Sequence, residues 1–271
     1  MRHIARCFLV ASALALTTTP SLACGGSTPC LLEDGRSYRV YVPETVADSP
    51  RAIMFAHGYG GNARGTMSSR ALRGAADELG VLLIALQAPG RGWSLAHAPS
   101  NARDRDADTD EIAYVDAVVA DVSTRFGVKA QDMVVSGFSL GGMVAWTIAC
   151  HRGDAFAGYI PLSGVFWAPI PDRCTAPPAS IIHIHGTTDK VVPLEGRPIG
   201  DAYQGDVGEV FEMYRQHGAF SPEDPVAHPS LTCDVARNAT AQRLELCLFD
   251  GGHSYSKAHL KSAYQRLMNA E

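Results

Sequence analysis

A serine with glycines two positions away on either side, Gly137-Phe138-Ser139-Leu140-Gly141, is the stretch of this chain best suited to chemistry. The apolar run Met133-Val134-Val135 precedes it and a segment with helical spacing, Met143 to Ala149, follows, so it reads as strand, sharp turn and helix with the serine at the apex. A hydroxyl is a weak nucleophile until a base takes its proton, and the base needs an acid to fix its tautomer and stabilise the imidazolium. Both candidates lie later in the chain, each just past an apolar run. Asp189 follows Ile181 to His185 and Gly186-Thr187-Thr188; His253 follows Leu244 to Phe249 and Gly251-Gly252. The order Ser139, Asp189, His253 suits acyl transfer by a serine nucleophile. The oxyanion formed on the way needs preorganised donors, and the expected pair is the backbone N–H of Leu140, just after the nucleophile, and that of Tyr59 in the glycine-rich loop His57-Gly58-Tyr59-Gly60-Gly61-Asn62.

Each assignment has a competitor. Asp189 could be a turn aspartate accepting backbone hydrogen bonds, with Asp172 the reserve acid. His259 is the reserve base, expected on a helix surface, and His57 is read as holding its loop by hydrogen bonding. His183 and His185, two apart on a strand, are read as hydrogen-bonded structural residues, not as metal ligands. No zinc site is expected of the cysteines, since no Cys-x-x-Cys is present. Trp93, Phe166 and Trp167 are candidates for a substrate pocket, with plain packing as the rival reading.

The elements that must position these residues alternate. Arg36 to Pro43 reads as a strand near a sheet edge with Tyr38, Val40 and Val42 on one face, and Ala52 to Ala56 as a strand buried on both faces. Met67 to Leu79 reads as a helix ended by Gly80, Val81 to Leu86 as a strand, and 89–105 as an irregular surface segment near the site. Asp108 to Phe126 is the longest helical pattern, with Ile112, Val115, Val118, Val119 and Val122 on one face and an acidic start. Strands follow at Ala157 to Leu162, Ile181 to His185, Leu231 to Val235 and Leu244 to Phe249, the first two separated by a proline-rich loop from Trp167 to Pro178. Val207 to His217 and Ser256 to Met268 read as helices. The alternation implies one α/β domain over 24–271, a doubly wound and mainly parallel sheet with its chemistry at the strand C-terminal ends.

Residues 1–23 stand apart. Arg2 and Arg6, the apolar run Phe8 to Leu16 and Ser21-Leu22-Ala23 have the form of a secretory signal peptide, with an apolar run too short to span a membrane. Its removal would leave six cysteines, which in an exported protein suggests three disulfides; the pairing Cys24–Cys30, Cys150–Cys174 and Cys233–Cys247 is favoured because each closes a local loop. It would also take the formal charge from −5 to about −7. A mildly acidic chain without a basic run is a poor binder of nucleic acid or anionic membrane.

With these residues in place the chain resembles secreted esterases grouped with polyhydroxybutyrate depolymerases and feruloyl or acetylxylan esterases. The resemblance covers the whole mature chain. It rests on Arg39-Val40-Tyr41-Val42-Pro43, the loop 57–62, Gly137-Phe138-Ser139-Leu140-Gly141-Gly142-Met143 with Ala149-Cys150, His185-Gly186-Thr187-Thr188-Asp189 with Val192-Pro193, and Gly251-Gly252-His253. It implies an α/β-hydrolase fold, a secreted or periplasmic location, no cofactor, and Ser139, Asp189 and His253 as the triad. Asp110 and Glu111 fall at paired acidic positions taken as structural. Leu140 stands where many relatives have a polar residue and Tyr255 where tryptophan is common. The expected substrates are small or oligomeric carboxylic esters, either polyhydroxyalkanoate oligomers or feruloyl and acetyl esters of polysaccharides, favoured over solid polymer because no added binding domain or linker is seen. The alternative is a catalytically silent polysaccharide or polyester binder that retains the fold; peptidase or thioesterase activity would use the same triad.

Overall fold

A computed structural model describes residues 24–100 and 110–268. The signal peptide expected over 1–23 lies outside the described residues, as do 101–105 of the irregular segment and Asp108, the expected helix start.

In chain order the elements are β1 (Cys30–Leu31), β2 (Ser37–Tyr41), β3 (Ala52–Ala56), α1 (Ala63–Ser68), α2 (Arg70–Leu79), β4 (Leu82–Leu86), α3 (Glu111–Phe126), β5 (Met133–Phe138), α4 (Leu140–Arg152), β6 (Gly158–Leu162), β7 (Trp167–Ala168), β8 (Ile181–Gly186), β9 (Pro198–Ile199), β10 (Ala202–Gln204), α5 (Val207–Gly218), β11 (Ser221–Pro222), β12 (Val226–His228), β13 (Leu231–Arg237), β14 (Arg243–Phe249) and α6 (Lys257–Met268). The main sheet runs β1-β2-β4-β3-β5-β6-β8-β14-β13-β11, with β12 also on β13. From β4 to β14 all neighbours are parallel; β2 and β13 flank that block antiparallel. The parallel strands are apolar on both faces because helices cover both. Trp146 of α4, Val118 of α3 and Tyr214 of α5 pack on one side; Ala76 of α2 and Ala263 and Tyr264 of α6 pack on the other.

Local chemistry sets several boundaries. The single helix expected from Met67 to Leu79 is two, because Ser69 is extended and its hydroxyl accepts from Leu72 N–H, capping α2. Asp110 caps α3 through Ile112 and Ala113 N–H, and Gly80 and Gly127 end α2 and α3 in the left-handed conformation. On α3 the fully buried face is Tyr114, Val115, Val118 and Val122; Ile112 and Val119 are only partly covered. Val42 does not continue the buried face of Tyr38 and Val40: the ladder with β4 ends at Tyr41, Pro43 has no N–H to extend it, and Val42 is exposed.

The proline-rich segment after Trp167 is not wholly loop. β7 pairs with β10, and β10 with β9, in a separate three-stranded sheet. The structure joins Cys24 to Cys30, Cys150 to Cys174 and Cys233 to Cys247, the last across one rung of the β13–β14 ladder. No described helix is long and apolar enough to cross a membrane.

Candidate active site

Ser139 sits between β5 and α4 at φ 59° and ψ −122°, a conformation that is strained for a residue with a Cβ and holds the side chain clear of the sheet. The glycines of the motif are needed by space. A Cβ on Gly141 would overlap the Ala56 carbonyl, and one on Gly137 would overlap that of Gly141. The Leu140 N–H opens α4 and has no intrahelical acceptor, as at any helix start, so it is placed to meet developing negative charge.

The loop after β3 comes up beside the serine. A Cβ built on Gly58 would stand 3.4 Å from Ser139 Cβ and 3.9 Å from its Oγ, ordinary contact distances that place this loop directly against the serine. His57 holds this loop. Its Nε2 accepts from Ala88 N–H at 3.2 Å, which leaves Nδ1–H to donate to Gly58 O at 2.9 Å. Burial pushes its pKa down, outweighing the opposing bond to Gly58, so the ring is neutral. The Trp93 indole N–H donates to His57 O at 2.8 Å, and its ring lies against the imidazole. Trp93 is therefore not a pocket wall, nor on the surface; it is fully buried behind the loop that carries Tyr59. Glu111, itself buried, accepts from Arg36 at 2.7 Å and from Ser94 N–H at 2.8 Å, tying α3 to the segment that holds Trp93.

Asp189 and His253, 64 residues apart, meet because two loops are bonded backbone to backbone. Thr187 N–H donates to Phe249 O and Thr188 N–H to Gly251 O, both at 2.9 Å. His253 Nδ1 then lies 2.7 Å from Asp189 Oδ2, while Asp189 Oδ1 accepts from the N–H groups of Val191 and Val192. Burial alone would raise the Asp189 carboxyl, but His185, His253 and these N–H groups outweigh it and hold it well below the usual carboxylate range. It is an anion at neutral pH, and with Nδ1–H facing it His253 keeps Nε2 for accepting a proton. Phe138 supports the imidazole at 4.6 Å between ring centroids, with the Tyr255 ring tilted against it at 4.9 Å. Sequence reading missed the part played by Phe138, since an aromatic residue inside a Gly-x-Ser-x-Gly motif carries no signal of its own.

The remaining candidates fall elsewhere. His183 and His185 are buried and form a chain: Trp146 N–H donates to His183 Nδ1, His183 Nε2–H to His185 Nδ1 at 2.9 Å, and His185 Nε2–H to Val192 O at 2.7 Å. His259 is not a surface residue. It is buried against Phe249, with Nε2 on the Ser230 hydroxyl. Asp172 borders a cavity of about 400 Å³ over α4, which Phe166 also lines, and that cavity does not include Ser139. A second cavity, of about 180 Å³, opens on Ser139 and is lined by Tyr59, Leu140, Met143, Val192, Ile199 and Gln204 among others; Trp167 borders both. Among the described residues, His228, Cys233 and Glu245 place metal-capable atoms within 4.8 Å of one another. They do not suit a cation: Cys233 is spent in its disulfide, and Glu245 is held by Arg243 and Arg266.

Residues 41–204 match the family model described as Phospholipase/Carboxylesterase. The chain is 30% identical over 200 residues to "Putative esterase NocK" of Nocardia uniformis subsp. tsuyamanensis, covering 72% of this chain and 55% of that protein. It is 27% identical over 169 residues to Feruloyl esterase C of Emericella nidulans, covering 60% and 58%. The chain thus spans a little over half the length of these two relatives. Among solved structures, an acetyl xylan esterase from Aspergillus awamori superposes with a TM-score of 0.62 at 12% identity, over 87% of this chain and 94% of that one, a likeness of fold.

Proposed function

The chain belongs to the phospholipase/carboxylesterase family of α/β-hydrolases, and from that premise we propose that it is a serine esterase hydrolysing carboxylic esters through an acyl-enzyme. The observation that carries the reading is the 2.7 Å contact from His253 Nδ1 to the buried carboxylate of Asp189, made in the loops beside the Ser139 elbow. Ser139 Oγ adds to the ester carbonyl as His253 Nε2 takes its proton, and the oxyanion is met by the N–H groups of Leu140 and Tyr59. The imidazolium, stabilised by Asp189, gives the proton to the departing alkoxide. Water then repeats the sequence at the acyl-enzyme and releases the acid.

Esters of feruloyl or acetyl groups on polysaccharides are the favoured substrates, as the names of the relatives suggest, with hydroxyalkanoate oligomers alongside them. Three disulfides support export to an oxidising compartment. The test is labelling by a fluorophosphonate together with turnover of p-nitrophenyl butyrate. The wild-type protein should do both, and Ser139→Ala should do neither while keeping its melting temperature. Failure of the folded wild-type protein to label would favour a silent binder instead.

A further inference from the structure

The cavity that opens on Ser139 is mostly apolar, but one wall carries polar groups without a partner among the described residues. That wall is the hairpin of β9 and β10. Ala202 pairs with Ile199 and Tyr203 with Pro198, and Gln204 N–H donates to Arg197 O at 2.9 Å, so Arg197 and Gln204 stand opposite each other. Residues opposite in an antiparallel ladder point to the same face, and here that face is the cavity, which both line. Arg197 Nε donates to Val191 O at 2.8 Å, which fastens the guanidinium to the loop carrying Asp189. Its two Nη groups make no hydrogen bond or ion pair among the described residues, whereas Arg36, Arg152 and Arg243 each meet a carboxylate. Gln204 is 4% exposed, its Oε1 is sealed without a partner, and its amide nitrogen makes no hydrogen bond among the described residues. Trp167, paired with Gln204 across β7 and β10, has an indole N–H in the same condition.

The Nη groups of Arg197 and the Gln204 amide nitrogen are thus donors on cavity-lining residues with no acceptor among the described residues, a pairing that suits an anionic group of a ligand. We propose that Arg197 and Gln204 receive a carboxylate of the substrate, so that this protein, read as a serine esterase, prefers acid-bearing esters, such as hemi-esters of dicarboxylic acids, over neutral ones. The guanidinium offers two parallel N–H donors matched to a carboxylate, and the Gln204 amide adds a third. Leu140, Met143, Val192 and Ile199 suit the short apolar link between that carboxylate and the ester carbon at Ser139.

The carboxylate could sit on the acyl or the alcohol portion, and two pairs of esters separate these. For the acyl side, kcat/KM is measured on p-nitrophenyl hydrogen glutarate and p-nitrophenyl pentanoate; for the alcohol side, on p-acetoxybenzoate and its methyl ester. On one side the wild-type protein should favour the charged ester by about tenfold or more, an advantage that weakens in high salt. Arg197→Gln should lower the charged-to-neutral ratio by about tenfold, Gln204→Leu by about threefold, and Arg197→Lys less than Arg197→Gln. Taking the ratio within each protein removes any general damage from a variant. A wild-type ratio at or below one on both sides, or a ratio indifferent to Arg197→Gln, overturns the inference while leaving the esterase reading intact. No turnover of any of the four esters by the folded wild-type protein overturns the esterase reading and this inference with it.

Discussion

His185 and His253 both face the same oxygen of Asp189, one from inside the sheet and the other from the loop after β14. His185 Nε2 lies 3.5 Å from Asp189 Oδ2 and His253 Nδ1 lies 2.7 Å from it. Their circumstances otherwise differ. His185 has no exposed side-chain surface and, with His183, spends every ring nitrogen in the chain from Trp146 to Val192 O. His253 is 16% exposed at its side chain and among the described residues has one nitrogen bonded, to Asp189. A histidine is equipped to act as a base by an unspent nitrogen at a surface a substrate can reach, and proximity to an acid does not distinguish the two. The inner pair is bonded into the loop of Asp189; the outer ring is the one equipped for the proton transfer proposed above.

The contrast can be broken most directly at the outer ring. His253→Ala should lower kcat on p-nitrophenyl butyrate by about 10⁴- to 10⁶-fold with the melting temperature little changed. A loss below about tenfold would erase the distinction between the two histidines. Asp189→Asn should cost about 10⁴-fold in kcat, because an amide can still accept from Val191 and Val192 N–H but no longer stabilises the imidazolium or enforces the Nδ1–H tautomer.

At the inner ring the effect should move from rate to stability. His185→Phe leaves Val192 O and His183 Nε2–H without partners in the core, and the loss read by urea denaturation should be about 2–4 kcal/mol. The accompanying fall in kcat should be within about tenfold. A variant as stable as the parent would show that the buried chain is not what fixes the loop.

The buried rings should also show in the pH dependence of stability. Burial lowers the pKa of His183, with the neighbouring His185 adding to the effect, and burial also lowers that of His57. The unfolded chain therefore takes up protons before the folded one does, so this stability is present above about pH 6.5 and is lost as pH falls below it. Each group should contribute up to about 1.4 kcal/mol per pH unit in that window. Asp189, lowered as well, adds its own loss only below about pH 4, where the unfolded carboxyl protonates. Urea midpoints from pH 7.5 to 5 check the first part: they should fall, and by less in His183→Phe. A flat series would contradict it.

Much of the fold was legible because its signals are local. The buried parallel strands read as unbroken apolar runs, the helix stops as Gly80 and Gly127, and the elbow as two glycines around a serine between a strand and a helix. The misreadings have a common cause. Strands β7, β9 and β10 are two or three residues long and show no period, so the hairpin that presents Arg197 and Gln204 was invisible. Trp93 and His259 were placed at the surface or the pocket because residue type does not say which face of a loop or helix is covered; both are buried.

What the sequence by itself determined is therefore the order of strands and helices and which residue types stand at the strand ends, since these follow from patterns a few residues long. Only the tertiary structure decided which side chains meet there. The parallel sheet sets β8 beside β14, and two backbone bonds across their loops bring Asp189 to His253 across a sequence separation of 64. The same packing spent the nitrogens of His185 and left one of His253 unspent, a difference that no short stretch of sequence contains.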